Sequence, residues 1–260
     1  MSLLTWIIIF SLLGGVLSVL AAAAFLLFPE QLRNRLLPHF ISFAIGSLLG
    51  AAFLALLPHA LESAEGVEVH SITLTVLLGV LVFFLLEKMV LWRHCHVDHC
   101  EAHEPSDHHR TTKATGTIVM IGDTVHNFVD GILIGAAFLT DIHLGVVTAI
   151  AVATHEIPQE LGDFAVLLHS GFSRIQALVF NVLSGFATVA GALIAYYGLH
   201  DLRHVLPYAL AIAASSFIYV AVADLIPGLH RRMELTATLQ QIVLISAGVA
   251  TIYIADSALH

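Results

Sequence analysis

Hydrophobic runs long enough to cross a lipid bilayer recur along the whole chain of 260 residues. A helix that spans the hydrocarbon core needs about 20 mostly apolar residues, and eight separate runs meet that length. Only 11% of the residues are charged, whereas soluble globular proteins carry about 25%. The sequence therefore predicts an all-α integral membrane protein with eight transmembrane helices, forming one domain over residues 1–260. The predicted spans are residues 4–28, 40–61, 72–92, 115–139, 144–169, 172–198, 205–229 and 237–255.

The Lys and Arg residues predict how these spans are oriented. Cytoplasmic loops of membrane proteins are enriched in basic residues. If the N-terminus lies outside, nine of the ten Lys and Arg residues fall in or beside cytoplasmic loops, and only Arg203 lies outside. An even number of spans then places both termini outside. Because the 19 acidic residues outnumber the basic ones, the composition offers no basic surface for nucleic acid.

The segment between the third and fourth spans, residues 94–114, is polar and rich in potential metal ligands. Its core reads HCHVDHCEAHEPSDHH, and the predicted orientation makes it a cytoplasmic loop. Imidazole, carboxylate and thiol groups crowded together favour loose binding of Zn²⁺ or a similar ion, and a solvated linker is the alternative. Cys95 and Cys100 lack the CxxC spacing of common redox and metal motifs.

The second and seventh spans show a faint internal repeat. Each carries a proline near its C-terminal end, in the sequences FLALLPHAL and VAVADLIPGLH. Aligning Pro58 with Pro227 also aligns Ser47 with Ser216. Because the two spans cross the membrane in opposite directions, the match predicts an inverted repeat. Such repeats are typical of transporters that bind their substrate near the middle of the bilayer.

The fourth span carries titratable residues on one face. It reads MIGDTVHNFVDGILIG, in which His126 and Asp130 are four residues apart and therefore lie on the same side of a helix. Asp123 and Asn127 flank that side. A charge in the middle of a bilayer costs about 2.5–3.5 kcal/mol on insertion scales, so such residues usually face the protein interior and serve a function.

The fifth span is more polar still. In its sequence THEIPQELGD, His155, Gln159 and Asp163 are spaced four residues apart, and Glu156 and Glu160 form a neighbouring stripe. Imidazole, carboxylate and amide groups from two facing helices predict a cation site. The alternative is a network of hydrogen bonds that holds the helices together without binding an ion.

The two polar spans resemble the paired motifs of the ZIP (Zrt-, Irt-like protein) family of metal transporters. HNFVDG at 126–131 and HEIPQELGD at 155–163 are similar to the subfamily patterns HNFxDG and HExPHExGD. Eight spans, external termini and a His-rich loop after the third span extend the resemblance over the whole chain. The resemblance implies an inverted-repeat bundle of three, two and three helices. It also implies transport of Zn²⁺, or of Fe²⁺, Mn²⁺ or Cd²⁺, toward the cytoplasm between the fourth and fifth spans.

The resemblance further implies which residues hold the metal ion substrate, at up to two ions per chain. The ligands implied for the first ion are His126, Asp130, His155 and Gln159. Those implied for the second ion are Asn127, Asp130, Glu156 and Gln159, together with Asn181 of the sixth span. The remaining residues implied near the site or along the path are Asp123, Glu160, Asp163, Asp224 at the inner exit, and His59.

Gln159 departs from the family pattern, which has a His or a Glu at this position. A neutral amide cannot bridge two cations as a carboxylate does, so bridging would rest on Asp130 and occupancy by two ions stays open. Loss of an imidazole ligand should also weaken the preference for Zn²⁺ over harder ions such as Mn²⁺.

An intramembrane zinc-dependent hydrolase is the alternative from another functional class. The sequence HEIPQ begins like the HExxH motif of zinc proteases, with His155 as a ligand and Glu156 as the general base. Gln159 stands where that motif has its second His, and no pattern for a third ligand follows.

The cellular setting is predicted from the same architecture. No basic segment precedes the first run and no clear cleavage site follows it, so it is predicted to be a spanning helix rather than a signal peptide. A short multi-pass chain suits a plasma membrane, and specifically the inner membrane of a bacterium. Helix faces rich in small residues permit a homodimer, and the sequence leaves the oligomeric state open.

Overall fold

The computed structural model describes residues 1–62, 68–97, 113–230 and 234–259. These residues form eight consecutive helical rods, one for each predicted span, and the described part of the chain contains no β-strand. The predicted all-α class is therefore confirmed. The rods are α1 (Leu3–Phe25), α2 (Glu30–Glu62), α3 (Val69–Val97), α4 (Lys113–Thr140), α5 (Ile142–His169), α6 (Arg174–Leu199), α7 (Arg203–Leu229) and α8 (Leu235–Leu259).

The His-rich segment predicted at 94–114 falls mostly outside the described residues. Helix α3 continues through Val97, and α4 begins at Lys113. Residues 98–112 lie outside the described ranges, so metal binding by this segment stays a prediction.

Seven of the eight rods are long and apolar enough to cross a membrane, which makes the chain a multi-pass membrane protein. The exception among the described helices is α5, which corresponds to the predicted fifth span. It is 28 residues long, or about 42 Å, and so exceeds the hydrocarbon core of about 30 Å. Its mean hydropathy is low because polar residues between His155 and Asp163 interrupt the apolar sequence.

A one-residue turn joins the two polar helices α4 and α5. Asp141 is the residue between them, and its carboxylate accepts hydrogen bonds from the backbone N–H groups of His143 at 2.7 Å and Leu144 at 3.2 Å. This N-cap satisfies donors that the first turn of α5 would otherwise leave unpaired. Because the turn is so short, residues equally distant from Asp141, such as His126 and Glu156, face each other across the two helices.

Helix α5 lies in the middle of the bundle. It packs against α1, α2, α4 and α6, and other helix pairs in extensive contact are α4 with α6, α2 with α8, α2 with α7, and α3 with α7. The outer helices have little protein around them. In the most apolar 18-residue stretch of α3, and likewise of α8, only 11% of the residues are buried, against 61% for the corresponding stretch of α2. Their exposed Leu, Val, Ile and Phe side chains suit contact with lipid rather than water.

The two helices of the predicted repeat share an unusual backbone feature. Ala51–Leu56 of α2 and Val220–Leu225 of α7 are both π-helical, and each segment begins seven residues before a proline, Pro58 or Pro227. A proline has no N–H to donate to the carbonyl four residues before it, and its ring crowds that carbonyl, so it disturbs the preceding helical turn. π-Helical turns are rare within helices. The shared feature supports the alignment of the two helices.

The packing of the outer helices is also consistent with the predicted repeat. Helix α2 packs along α8, and α7 packs along α3. Exchanging α2 with α7 and α3 with α8 converts one pair into the other, as a repeat of three helices at each end of the chain predicts.

The polar residues of α4 and α5 form a layer between apolar clusters. On one side lies the largest hydrophobic cluster, which includes Leu133 and Ile134 of α4 and Val152 of α5. On the other side are two small clusters that include Leu161 and Phe164 of α5. The layer is thus positioned within the helical bundle, and most of its side chains are hidden from solvent.

Candidate metal centre

Four side chains of α4 and α5 direct one ligand atom each toward a common point. The atoms are Nε2 of His126, Oδ2 of Asp130, Nε2 of His155 and Oε1 of Glu156. Asp130, His155 and Glu156 are almost completely buried, whereas the side chain of His126 is 24% exposed. The sequence prediction placed these four residues in the site, and the helical hairpin brings them together.

The separations between these atoms match the dimensions of a tetrahedral zinc site. His126 Nε2 lies 3.4 Å from His155 Nε2, 3.7 Å from Asp130 Oδ2 and 3.5 Å from Glu156 Oε1. His155 Nε2 lies 3.1 Å from Asp130 Oδ2 and 3.7 Å from Glu156 Oε1. Zinc–ligand bonds of about 2.0–2.2 Å give a tetrahedron with edges of about 3.3–3.6 Å. These five separations lie close to such edges, so the four atoms can be brought around one Zn²⁺ ion.

The orientation of the His155 ring suits a metal ligand. Its Nδ1 lies 3.0 Å from the backbone carbonyl oxygen of Ala151, an atom that can only accept, so Nδ1 carries the proton and donates. In the neutral ring Nε2 then presents its lone pair to the site, as in metal-binding histidines whose other nitrogen is held by a second partner. Phe217 of α7 packs against the ring with a centroid separation of 6.1 Å.

Several buried carboxylate oxygens near the site have no hydrogen-bond donor. Within the part of the chain that the structure describes, buried oxygens of Asp123, Asp130, Glu156 and Glu160 have no hydrogen-bond partner. Burying a charged carboxylate without a partner is very unfavourable, and a divalent cation bound among these oxygens would supply the compensating positive charge.

A second group of acidic side chains adjoins the first. Carboxylate oxygens of Asp123, Glu156 and Glu160 lie within 4.8 Å of one another, and all three residues are buried. Glu156 thus belongs to both groups, although the sequence analysis assigned the bridging role to Asp130. Three oxygen ligands form a harder set than the two imidazoles and two carboxylates of the first group.

Asn127 contacts Asp123 and two residues of α6. Its Nδ2 donates to Asp123 Oδ1 at 2.9 Å, and a weaker contact reaches Ser184 Oγ at 3.4 Å. Thr188 Oγ1 donates to Asn127 Oδ1 at 2.8 Å. Ser184 and Thr188 were not among the residues predicted from the sequence, although their spacing after Asn181 places all three on one helix face.

The other predicted residues lie around these two groups. Asn181 is buried beside Glu160, and the partly buried Asp163 lies next to Asp123 and within electrostatic range of Asp224 on α7. Gln159 is partly buried on α5, between the levels of Glu156 and Glu160. His59 lies outside both groups, near the end of α2, where its Nδ1 bonds to the carbonyl oxygen of Ala55 at 2.9 Å.

The sequence was compared with protein-family models. The model described as "ZIP Zinc transporter" matches in two overlapping segments, residues 2–117 and 92–256. The match therefore includes all the residues of both groups of candidate metal ligands and nearly the whole chain.

Curated relatives with similar sequences are named as zinc transporters. Zinc transporter ZIP13 of Pongo abelii is 31% identical over 266 residues, covering 94% of this chain and 76% of the relative. Zinc transporter ZIP10 of Homo sapiens is 41% identical over 139 residues, which is 52% of this chain and 17% of that protein. Zinc transporter ZIP4 of Homo sapiens is 42% identical over 113 residues, covering 43% of this chain and 17% of that relative. The matches to ZIP10 and ZIP4 thus span less than a fifth of those proteins.

Proposed function

This chain belongs to the ZIP zinc transporter family, and on that premise we propose that it moves Zn²⁺ toward the cytoplasm through the centre between α4 and α5. Family membership makes it a transporter of divalent metal ions in a membrane. It also decides against the intramembrane hydrolase that the HEIPQ sequence had suggested. The observation that carries the proposed location is the near-tetrahedral arrangement of His126, Asp130, His155 and Glu156.

The proposed topology has eight spans with both termini outside. Helix α5 completes the count, because its length and its central position between α1, α2 and α4 suit a buried span with few lipid contacts. The distribution of Lys and Arg supports the orientation. The packing of α2, α3, α7 and α8 supports the arrangement of three, two and three helices as an inverted repeat.

Two ions can be accommodated in the proposed centre. The first lies among His126, Asp130, His155 and Glu156, and the second among Asp123, Glu156 and Glu160, so that Glu156 bridges them. The mixed imidazole and carboxylate set favours Zn²⁺, while the all-oxygen set admits Mn²⁺ or Fe²⁺, and Cd²⁺ stays a further candidate. Gln159 and Asn181 are proposed as additional oxygen ligands at this second level.

The acidic residues continue from the centre toward the predicted cytoplasmic side. Along α4 and α5 the order from outside to inside is Asp130 with His155, then Glu160 with Asp123, then Asp163. Asp163 is close enough to Asp224 of α7 for electrostatic interaction. We assign this series to the exit path and His59, at the predicted outer end of α2, to the entrance. A bacterial plasma membrane and a homodimer complete the proposal.

Uptake measurements on cells and proteoliposomes test this function. We expect the parent to accumulate Zn²⁺ in the cytoplasm, and Asp130→Ala or His155→Ala to lower uptake by about tenfold or more, equivalent to at least about 1.4 kcal/mol of binding energy. The reason is that each substitution removes one ligand from the tetrahedral set.

His169→Ala is a matched control for the histidine variant. His169 lies on the same helix and bonds to the carbonyl four residues earlier, as His155 does, but it is exposed and remote from the centre. We expect this control to transport normally. Unchanged Zn²⁺ uptake in well-folded Asp130→Ala and His155→Ala proteins would refute the proposed location.

Gln159 allows a separate test of metal preference. We expect Gln159→His to raise the ratio of Zn²⁺ to Mn²⁺ transport by about tenfold, because an imidazole favours Zn²⁺ by an amount on the order of 1.4 kcal/mol. Competition between the two ions in proteoliposomes measures the ratio. Gln159→Ala is the control, since it removes the amide without adding an imidazole, and an equal rise in both variants would contradict the explanation.

A further inference from the structure

Helix α6 presents a buried polar face to the metal centre. Asn181, Ser184 and Thr188 are 1%, 2% and 0% exposed, and their spacing of three and four residues places them on one side of the helix. Ser and Thr hydroxyls within membrane helices often bond to their own backbone. The Thr188 hydroxyl instead donates across to Asn127 of α4, which is part of the hairpin that carries the metal ligands.

Thr188 is held at this position by the backbone of the two helices. A Cβ atom at Gly131 would overlap the carbonyl oxygen of Thr188, and a Cβ at Gly191 would overlap the carbonyl oxygen of Phe128. The absence of these side chains lets α4 and α6 approach until their backbones touch. The Thr188 hydroxyl therefore reaches the Asn127 amide with little freedom to move elsewhere.

The chemistry of the partners fixes the direction of each hydrogen bond. The carboxylate of Asp123 can only accept, so the NH₂ group of Asn127 must face it. The carbonyl oxygen of Asn127 then faces Thr188, and the hydroxyl must donate to it. In this arrangement Thr188 engages one of the two lone pairs of the Asn127 carbonyl oxygen.

Asp123 presents its other oxygen to the second acidic group. Oδ1 is held by Asn127, whereas Oδ2 is buried and has no hydrogen-bond partner among the described residues. A carboxylate oxygen of Asp123 also lies within 4.8 Å of ligand atoms of Glu156 and Glu160. The bond from Asn127 thus leaves one buried oxygen of Asp123 available to the proposed second ion.

From this geometry we infer that Thr188 is a positioning residue for the second ion. It orients the Asn127 amide, and Asn127 in turn holds Asp123, the proposed ligand, so Thr188 acts on the ion through Asn127. The inference rests on the proposed function, because it requires a cation among Asp123, Glu156 and Glu160. The hydroxyl of Thr188 donates to Asn127, which lies outside the first group, so its effect should be confined to the second ion.

Zn²⁺ titration calorimetry on the purified full-length protein tests the inference. We expect the parent to bind two Zn²⁺ ions. Thr188→Val keeps the shape of the side chain but loses the hydroxyl, and it should lower the affinity for the second ion about 10- to 100-fold, as substitutions of residues that support metal ligands commonly do. Binding of the first ion should change little. Thr188→Ser restores the hydroxyl and should recover most of the affinity for the second ion.

A double substitution separates positioning from packing. If Thr188 acts through Asn127, Thr188→Val should have no further effect in a protein that already carries Asn127→Ala. Three results would overturn the inference. Thr188→Val could weaken the binding of both ions equally, or weaken neither, or keep its full effect in the Asn127→Ala background. A parent that binds only one ion would overturn it too. A parent that binds no Zn²⁺ would instead refute the proposed function itself.

Discussion

Replacing Glu156 with Gln should lower Zn²⁺ uptake about 100-fold or more. Glu156 is fully buried and is the carboxylate that the two groups share. Leaving a buried charged site without one of its partners costs about 3–5 kcal/mol, and each 1.4 kcal/mol is about tenfold in affinity. Because the substitution affects both proposed ions, its effect should exceed that of any other single ligand. Initial rates of Zn²⁺ uptake into proteoliposomes measure it.

The same variant should fold well, which separates loss of transport from loss of structure. Gln has nearly the shape of Glu but no charge. In the absence of metal, the substitution therefore removes the repulsion between residue 156 and the carboxylates of Asp130, Glu160 and Asp123. We expect Glu156→Gln to have a higher Tm than the parent in a chelator, and to gain less stability from added Zn²⁺. Glu30→Gln, at the exposed start of α2, is the control. Uptake within about twofold of the parent, or about 0.4 kcal/mol, would rule out the shared role of Glu156.

Gly131→Ala should destabilise the protein and disrupt the centre together. The added Cβ would overlap the backbone carbonyl oxygen of Thr188, and backbone cannot move aside as a flexible side chain does. Forcing extra atoms into a well-packed contact costs about 1–3 kcal/mol. Since Gly131 follows Asp130 directly, separation of α4 from α6 also shifts a metal ligand. We expect a lower Tm and a clear loss of Zn²⁺ affinity.

Two other glycines provide matched controls. A Cβ at Gly162 of α5 meets no atom within 4 Å, so Gly162→Ala should leave both Tm and Zn²⁺ affinity close to those of the parent. A Cβ at Gly248 would overlap the carbonyl oxygen of Phe43 where α8 crosses α2, away from the centre. Gly248→Ala should therefore lower Tm and spare Zn²⁺ binding. If Gly131→Ala behaved like Gly248→Ala, the α4–α6 contact would have no special role at the site.

Much of the fold could be predicted because the bilayer sets a simple requirement for length and hydropathy. Seven helices meet that requirement directly. Helix α5 does not, although residues 144–169 were predicted as a span among the eight hydrophobic runs, because the polar residues between His155 and Asp163 lower its mean hydropathy. The positions of His126 and Asp130 followed from helical periodicity. Residues four apart on a helix share a face regardless of how the helix packs, so this part of the site can be predicted from the local sequence alone.

Details of the centre depend on how the helices are placed relative to each other. The sharing of Glu156 follows from the one-residue turn at Asp141, which sets the offset between α4 and α5. The contact of Thr188 with Asn127 joins residues 61 positions apart. A Thr in an apolar helix gives no sign of such a partner, because its hydroxyl can be satisfied by its own backbone. These features therefore could not be predicted from the sequence pattern.

The π-helical segments of α2 and α7 also bear on how the chain can gain or lose residues. Each wide turn holds roughly one residue more than an α-helical turn would, and one residue corresponds to about 100° of rotation around a helix. Deleting a residue within Ala51–Leu56 should restore an ordinary turn and leave Pro58 facing the same way. A deletion elsewhere in α2 would rotate everything beyond it. Because Val220–Leu225 lies at the same distance from Pro227, a deletion within that segment of α7 should be tolerated in the same way.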